Sequence, residues 1–170
     1  ILIDCANGAA SEIAPRVMKA FGAETILIHA APNGSNINLD CGATKPQVCA
    51  TEMLKQQYDA GLSLDGDADR GILCDNNGRI LDGDIILAGL GQAMSQQQSL
   101  ANNTVVATVM SNLALETYLK ESGVTLLRTK VGDKYVAQEM RNGNHNLGGE
   151  KSGHILFGTE HGFRGDGLYT

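Results

Sequence analysis

The sequence is poor in aromatic residues: it contains no Trp, and aromatic residues make up 4% of the 170 positions. Proteins that bind single-stranded nucleic acid stack the bases on aromatic side chains, and this chain has few of them. Basic residues are also outnumbered, with 13 Lys and Arg against 19 Asp and Glu and a net charge of −6. Because a negatively charged protein repels a phosphate backbone, we expect no nucleic acid partner.

Long apolar runs and paired cysteine motifs are missing too. No apolar run approaches the roughly 20 residues of a membrane-spanning helix, so no membrane partner is expected. The four cysteines show no C-x-x-C spacing and lie in or near apolar stretches: Cys5, Cys41, Cys49 and Cys74. This pattern predicts reduced, mostly buried thiols in a cytoplasmic protein, not a zinc site or a disulfide framework.

The most informative stretch of the chain is a dense acidic segment. Residues 62–64 predict a short buried strand, and Asp65, Asp67 and Asp69 follow at alternate positions before Arg70. Three carboxylates this close repel one another, so a fold keeps them together with a compensating cation. Oxygen ligands on a tight loop suit a hard divalent ion, Mg²⁺ before Ca²⁺ or Mn²⁺. A solvated acidic turn is the alternative.

Three types of metal loop compete for this segment. An EF-hand needs Gly at loop position six and Glu at position twelve, where this sequence has Arg70 and Asn76. A phosphatase of the haloacid dehalogenase type would use Asp65 as nucleophile and Asp67 as acid/base, but a downstream acidic pair with a suitable Lys is not evident. In the third type, all three aspartates hold the metal of a phosphoryl-transfer site and another residue carries the phosphate.

The apolar pattern predicts two successive α/β units. In the first, strands are expected at 1–4, 25–28 and 62–64, helices at 11–22 and 47–58, and a hairpin at 72–81. In the second, helices are expected at 85–95, from 111 and at 133–141, and strands at 105–109, 124–127 and near 146–147. The apolar face of the first helix is expected to be Ile13, Val17 and Phe21. The repeated order predicts two tandem α/β domains of similar topology, 1–82 and 83–170, with mixed sheets flanked by helices.

The second unit carries a glycine-rich polar loop, residues 148–154, at the place that matches the acidic loop. If this loop follows the unit's last strand and is extended, Glu150, Ser152 and His154 face the same way. Glu and Ser suit sugar hydroxyls, and His can donate to a phosphate or move a proton. A solvated turn is the alternative. Because ligands of open α/β sheets bind beyond the carboxyl ends of strands, the two loops predict a ligand held in a cleft between the domains.

A third strand end has basic character. An anionic ligand would suit this strand end, which contains Arg128 and Lys130 followed by Gly132, Asp133 and Lys134. The alternative is that these residues are surface charges without a function. The histidines outside the glycine-rich loop have no ligand-spaced partners and receive no role: His29, His145 and His161.

These motifs resemble those of the α-D-phosphohexomutase family. Residues 65–70 are similar to the family's metal-binding loop, and residues 149–154 to its sugar-binding loop. Residues 36–46 and 130–136 are similar to the bacterial phosphoglucosamine mutase branch. Asp133 favours that branch, because a His is common there in the phosphomannomutase/phosphoglucomutase branch.

The resemblance implies the second and third domains of a four-domain protein. A chain that opens in mid-strand without Met is expected to be an excised piece, and the missing first domain would carry a phosphoserine nucleophile. The missing fourth domain would grip the substrate phosphate. Because the nucleophilic serine is missing, the piece alone is expected to be inactive. In the parent protein, Asp65, Asp67 and Asp69 would bind Mg²⁺, and Arg70 would lie near the transferring phosphate.

The resemblance also implies a substrate. A hexosamine phosphate would be bound by Glu150 and Ser152 together with Lys130 and Asp133. His154 would contact the ligand or carry a proton. The parent would interconvert glucosamine 6-phosphate and glucosamine 1-phosphate through a bisphosphorylated sugar, feeding cell-wall precursor synthesis. A phosphomannomutase or phosphoglucomutase of the same family, or a non-catalytic module that binds sugar phosphate or cations, is the alternative. The sequence does not determine the oligomeric state, and a homodimer is one of the alternatives.

Overall fold

A computed structural model describes all 170 residues, which form two compact units. The first unit contains residues 1–81 together with 166–170, and the second contains residues 82–165. Each unit is described by itself. The division into domains at residues 82 and 83 stays a prediction.

The first unit is built on a five-stranded mixed sheet. Its elements are β1 (Leu2–Asp4), α1 (Ala14–Ala20), β2 (Ile26–Ile28), α2 (Gln47–Met53), β3 (Ala60–Leu64), β4 (Gly71–Asp75) and β5 (Ile80–Leu81). The strands lie in the order β2-β1-β3-β4-β5. Strand β1 runs parallel to β2 and β3, whereas β4 is antiparallel to both β3 and β5. The last two strands form the hairpin that the sequence predicts.

Strand β1 is buried on both faces, which explains its continuous apolar run. Leu2 packs with Cys49 and Met53 of α2, whereas Ile3 packs with Ala14 of α1. Successive side chains of a strand point to opposite faces of the sheet, so each face of β1 contacts a different helix. In the sheet, β1 lies between β2 and β3.

The second unit is built on a four-stranded mixed sheet. Its elements are α3 (Gly83–Gln96), β6 (Thr104–Thr108), α4 (Leu113–Glu121), β7 (Thr125–Thr129), α5 (Asp133–Gly143), β8 (Leu147–Gly149) and β9 (Ile155–Phe157). The strands lie in the order β7-β6-β8-β9, with β6 parallel to β7 and β8, and β9 antiparallel to β8. This order matches the first four strands of the first unit, so the predicted repeat of topology is confirmed.

Helices cover both faces of this second sheet. On one face, Val106 packs with Val136 and Met140 of α5. On the other, α3 approaches so closely that a Cβ added at Gly91 would lie 2.9 Å from Val105. The predicted fold class, two α/β units with mixed sheets flanked by helices, is confirmed.

Helix α3 begins at Gly83, and Asp82 caps it. Asp82 Oδ1 accepts hydrogen bonds from the backbone N–H groups of Asp84 (3.2 Å) and Ile85 (3.3 Å). The first N–H groups of a helix have no partner within the helix, so this carboxylate satisfies donors that would otherwise lack one.

We expect Asp82→Ala to lower the free energy of unfolding by about 1 kcal/mol, because the alanine cannot accept these two hydrogen bonds. Urea unfolding of the chain measures the change. Asp82→Asn is the matched control, because its amide oxygen still caps the helix, and it should lose less than the alanine variant. An equal loss in both variants would assign the effect to the charge of Asp82, which lies 3.5 Å from Lys151 Nζ, and would contradict the capping account.

Two local expectations are wrong, and one strand was missed. Phe21 is 84% exposed, because α1 ends at Ala20 and turns Ala14 towards the core. Helix α2 ends at Met53, short of the predicted residue 58, and the next residue, Leu54, is exposed. Strand β9, which directly follows the glycine-rich loop, was not predicted.

The predicted burial of the cysteines is confirmed. All four are buried and none forms a disulfide. Of the helices, none is both long enough and apolar enough to cross a membrane.

Candidate functional site

The acidic loop connects β3 to β4 at the carboxyl end of β3. One carboxylate oxygen from each of Asp65, Asp67 and Asp69 lies within 4.8 Å of the other two. Asp65 is buried, Asp69 is half-buried and Asp67 is exposed. The structure therefore brings the three predicted ligands together, with one side of the cluster open to solvent.

The backbone of this loop is bent tightly around Asp65. The N–H of Arg70 donates to Asp65 Oδ1 (3.2 Å), and the N–H of Ala68 donates to the Asp65 carbonyl oxygen (3.1 Å). Ala68 takes a left-handed conformation with φ of 62°, which is uncommon for a residue with a side chain. A Cβ added at Gly66 would lie 2.6 Å from the Ile37 side chain, so a larger residue there would require Ile37 to move. These contacts fix the backbone of the loop and thereby the places from which the three aspartate side chains extend.

The cluster carries more negative charge than its own cation can balance. Arg70 Nε lies 3.6 Å from Asp65 Oδ2 and 3.7 Å from Asp69 Oδ1. Burial raises the pKa of the Asp65 carboxyl above its usual value, and the charges of Asp69 and Asp67 raise it further, against the opposing effect of Arg70. One guanidinium faces three carboxylates, and a divalent ion would neutralise the remaining charge. The donors are all oxygens, so the residues present fit Mg²⁺.

The glycine-rich loop is the corresponding connection of the second unit. It joins β8 to β9, and β8 holds the place in its sheet that β3 holds in the first. The expectation that the loop follows the last strand is wrong, because β9 comes after it. The two loops are topologically equivalent hairpin connections.

This second loop is a tight turn, so the expectation of an extended loop is also wrong. The N–H of Glu150 donates to the His154 carbonyl oxygen, and the N–H of Gly153 donates to the Glu150 carbonyl oxygen, both at 3.0 Å. As a result, the three side chains do not share one environment: Ser152 is exposed, Glu150 is half-buried and His154 is 6% exposed.

Glu150 reaches the segment that precedes α5. Its Oε1 atom accepts a hydrogen bond of 3.1 Å from the N–H of Gly132, which takes φ of 124°. Lys130 is exposed on this segment, and Asp133, the first residue of α5, is exposed as well. The structure therefore joins the Glu150 turn to the basic strand end that the sequence singles out.

Arg128 has a structural role in this region. Its guanidinium donates to Glu116 Oε2 (3.2 Å) and to the carbonyl oxygen of Ser111 (2.8 Å). It thereby ties β7 to the start of α4. The exposed cations of that strand end are Lys130 and Lys134.

Sequence reasoning missed a second group of ligand-type side chains in the first unit. Asp4, His29 and Cys41 each place one potential ligand atom within 4.8 Å of the others. His29 received no role because its partners are distant in sequence. The available signal was the parallel pairing of β1 with β2, which sets Asp4 opposite Ile28 and so brings His29 to the same sheet edge.

Two family models match the chain. Residues 1–78 match the phosphoglucomutase/phosphomannomutase alpha/beta/alpha domain II, and residues 82–170 match domain III of the same family. The chain belongs to the phosphoglucomutase/phosphomannomutase family. The predicted resemblance is confirmed, and so is the order of the two domains within it.

The chain is similar in sequence to curated phosphoglucosamine mutases. A phosphoglucosamine mutase of Nitratidesulfovibrio vulgaris is 53% identical over 168 residues, which is 99% of this chain and 37% of the relative. The chain thus spans little more than a third of the length of that curated relative.

Two solved structures illustrate the fold of the phosphoglucomutase/phosphomannomutase family. A family protein of Burkholderia thailandensis superposes with a TM-score of 0.86 at 26% identity, covering 99% of this chain and 37% of that one. The N-acetylphosphoglucosamine mutase of Aspergillus fumigatus was solved in complex with GlcNAc-6P and magnesium. It superposes with a TM-score of 0.73 at 21% identity, covering 98% of this chain and 44% of that one. At that identity the likeness concerns the fold alone.

Proposed function

We propose that this chain is the central part of a phosphoglucosamine mutase, which interconverts glucosamine 6-phosphate and glucosamine 1-phosphate. The observation that carries the proposal is the pair of equivalent hairpin loops: one gathers three carboxylates, and the other presents Glu150 and Ser152. The 53% identity to a curated phosphoglucosamine mutase supports this branch over the phosphomannomutases and phosphoglucomutases.

In the first unit, Asp65, Asp67 and Asp69 would hold Mg²⁺. When bound, the ion supplies positive charge that stabilises a phosphoryl group in transfer. The side chain of Arg70 is 41% exposed beside the cluster, and we assign it to the oxygens of that phosphoryl group. A guanidinium suits this role, because it offers several N–H donors in a fixed plane.

In the second unit, the Glu150 turn would bind the sugar. The N–H of Gly132 fixes one carboxylate oxygen of Glu150, which orients the group to accept hydrogen bonds from sugar hydroxyls. The exposed hydroxyl of Ser152 would add a second contact, and Lys130 and Asp133 would bind the phosphate and the amino group. His154 would contact the ligand or transfer a proton.

The remaining parts of the reaction belong to the whole protein. Because this chain spans 37% of its curated relative, we place the phosphoserine nucleophile and the phosphate-gripping loop in the rest of that length. The serine would pass its phosphoryl group to the sugar and receive the other phosphate back from the bisphosphorylated intermediate. A cytoplasmic location, supported by four buried free thiols, and a role in cell-wall precursor synthesis complete the proposal.

The chain alone should not turn over glucosamine 6-phosphate, because the phosphoryl carrier lies outside it. The measurement compares this 170-residue chain with the full-length protein, each supplied with Mg²⁺ and the bisphosphorylated sugar. We expect Mg²⁺-dependent conversion by the full-length protein only. Turnover by the chain alone would contradict the assigned nucleophile, and a full-length protein that binds hexose phosphates without converting them would instead be a binding module.

A further inference from the structure

We propose that Asp4, His29 and Cys41 form a second metal site in the first unit, suited to a borderline divalent ion such as Zn²⁺. The three potential ligand atoms all lie within 4.8 Å of one another. They come from three separate parts of the chain: the end of β1, the residue after β2 and the start of the turn at residues 41–44. This site is separate from the acidic loop and uses different donor atoms.

Asp4 is held ready to act as a ligand. It is fully buried, and its Oδ1 and Oδ2 atoms accept hydrogen bonds from the backbone N–H groups of Ala6 (3.0 Å) and Gly42 (2.8 Å). Backbone donors of this kind fix the orientation of a ligating carboxylate and are typical partners of metal ligands. The His29 ring adds a contact, with Nδ1 at 3.0 Å from Asp4 Oδ1.

The donor set favours zinc over magnesium. A thiolate, an imidazole and a carboxylate are the ligands of Zn²⁺ sites, and three protein ligands leave a fourth position for water. Nitrogen, oxygen and sulfur ligands on one tetrahedral ion lie about 3.3–3.5 Å apart, so a pair of ligand atoms at the 4.8 Å limit would need to close by about 1.5 Å at most. The His29 side chain is 35% exposed, which gives the ring freedom to move and gives the ion a path from solvent.

Backbone strain is concentrated around these three residues. Ala6, Asn7 and His29 all take left-handed conformations, with φ of 52°, 49° and 47°. Residues with a side chain are uncommon in this region of the φ/ψ plot, and such strained conformations are frequent at ligand-binding sites. The cluster also supports the acidic loop, because Gly42 packs so closely that a Cβ there would lie 2.3 Å from the Leu64 carbonyl oxygen. An ion at this second site would therefore stiffen the base of the acidic loop.

Titration of the chain with Co²⁺ tests the proposal without any assay of activity. Cobalt replaces zinc in mixed nitrogen, oxygen and sulfur sites, and a coordinated thiolate adds a near-ultraviolet absorption band that oxygen ligands cannot produce. We expect one such band at one Co²⁺ per chain, removed by Zn²⁺ and unaffected by excess Mg²⁺. Absence of the thiolate band in the wild-type chain would overturn the proposal.

Substitutions identify the residues that coordinate the ion responsible for this absorption band. Cys41→Ser should abolish it, and His29→Gln should weaken Co²⁺ binding by about tenfold or more. Cys74→Ser removes another buried thiol and should leave the band intact, as should Asp67→Asn in the acidic loop. Because Cys41 is buried and its variant could misfold, the half-exposed His29 provides the second test, with circular dichroism as the check on folding. A band that survives in folded Cys41→Ser, or Co²⁺ binding that is unchanged in His29→Gln, would contradict the site.

Discussion

Replacing Asp67 with Ala in the full-length protein is expected to lower Mg²⁺-dependent mutase turnover by about a thousandfold or more. A metal ion at a phosphoryl-transfer site supplies several kcal/mol of stabilisation, and each 1.36 kcal/mol corresponds to about a factor of ten in rate. Asp67 is exposed, so its removal should not disturb the core. Steady-state turnover at several Mg²⁺ concentrations measures the effect, and the loss should not be recovered at high Mg²⁺.

Asp59→Ala is the matched control for this experiment. Asp59 is an exposed carboxylate of the same unit outside the acidic loop, and its removal should leave turnover within about twofold of the wild type. A normal rate for Asp67→Ala, with an unchanged dependence on Mg²⁺, would disprove the assignment of the metal ligands.

Replacing Glu150 with Ala is expected to lower kcat/KM for glucosamine phosphate by about 10- to 100-fold. The variant loses the proposed charged hydrogen bonds to sugar hydroxyls, which contribute about 1.5–3 kcal/mol. It also removes the acceptor for the N–H of Gly132, which fixes the turn against the segment before α5. The measurement is the full-length protein's kcat/KM at saturating Mg²⁺.

Two further variants separate the contributions of Glu150. Glu150→Gln keeps an oxygen for the N–H of Gly132 and loses the charge, so it should lie between the wild type and the alanine variant. Glu160→Ala removes an exposed carboxylate elsewhere in the unit and should have little effect. If Glu150→Ala retained the wild-type kcat/KM, the glycine-rich turn would not be the sugar site.

The acidic loop was predictable from sequence because its chemistry is local. All three ligands and the arginine lie within six consecutive residues, so a strand that ends in a tight turn is sufficient to gather them. The repeat of topology was predictable for a similar reason, since strands and helices follow one another in the same order in both units. Both inferences required no knowledge of contacts between distant segments.

The rest of the site depends on pairings that sequence patterns do not encode. The shape of the Glu150 turn follows from the antiparallel pairing of β9 with β8, and β9 was not predicted from the sequence. The group of Asp4, His29 and Cys41 depends on the register between β1 and β2 and on the return of the chain at Gly42. Ligands 25 and 12 residues apart have no recognisable spacing, so only the folded chain shows their proximity.

Substrate preference of the full-length protein tests the central claim most directly. The measurement is kcat/KM, with Mg²⁺, for glucosamine 1-phosphate, glucose 1-phosphate and mannose 1-phosphate. A site built to hydrogen-bond the amino group discriminates strongly against an analogue that lacks it, so we predict a preference for glucosamine 1-phosphate of about tenfold or more. A preference of that size for glucose or mannose 1-phosphate would contradict the account and assign the protein to the phosphoglucomutase or phosphomannomutase branch.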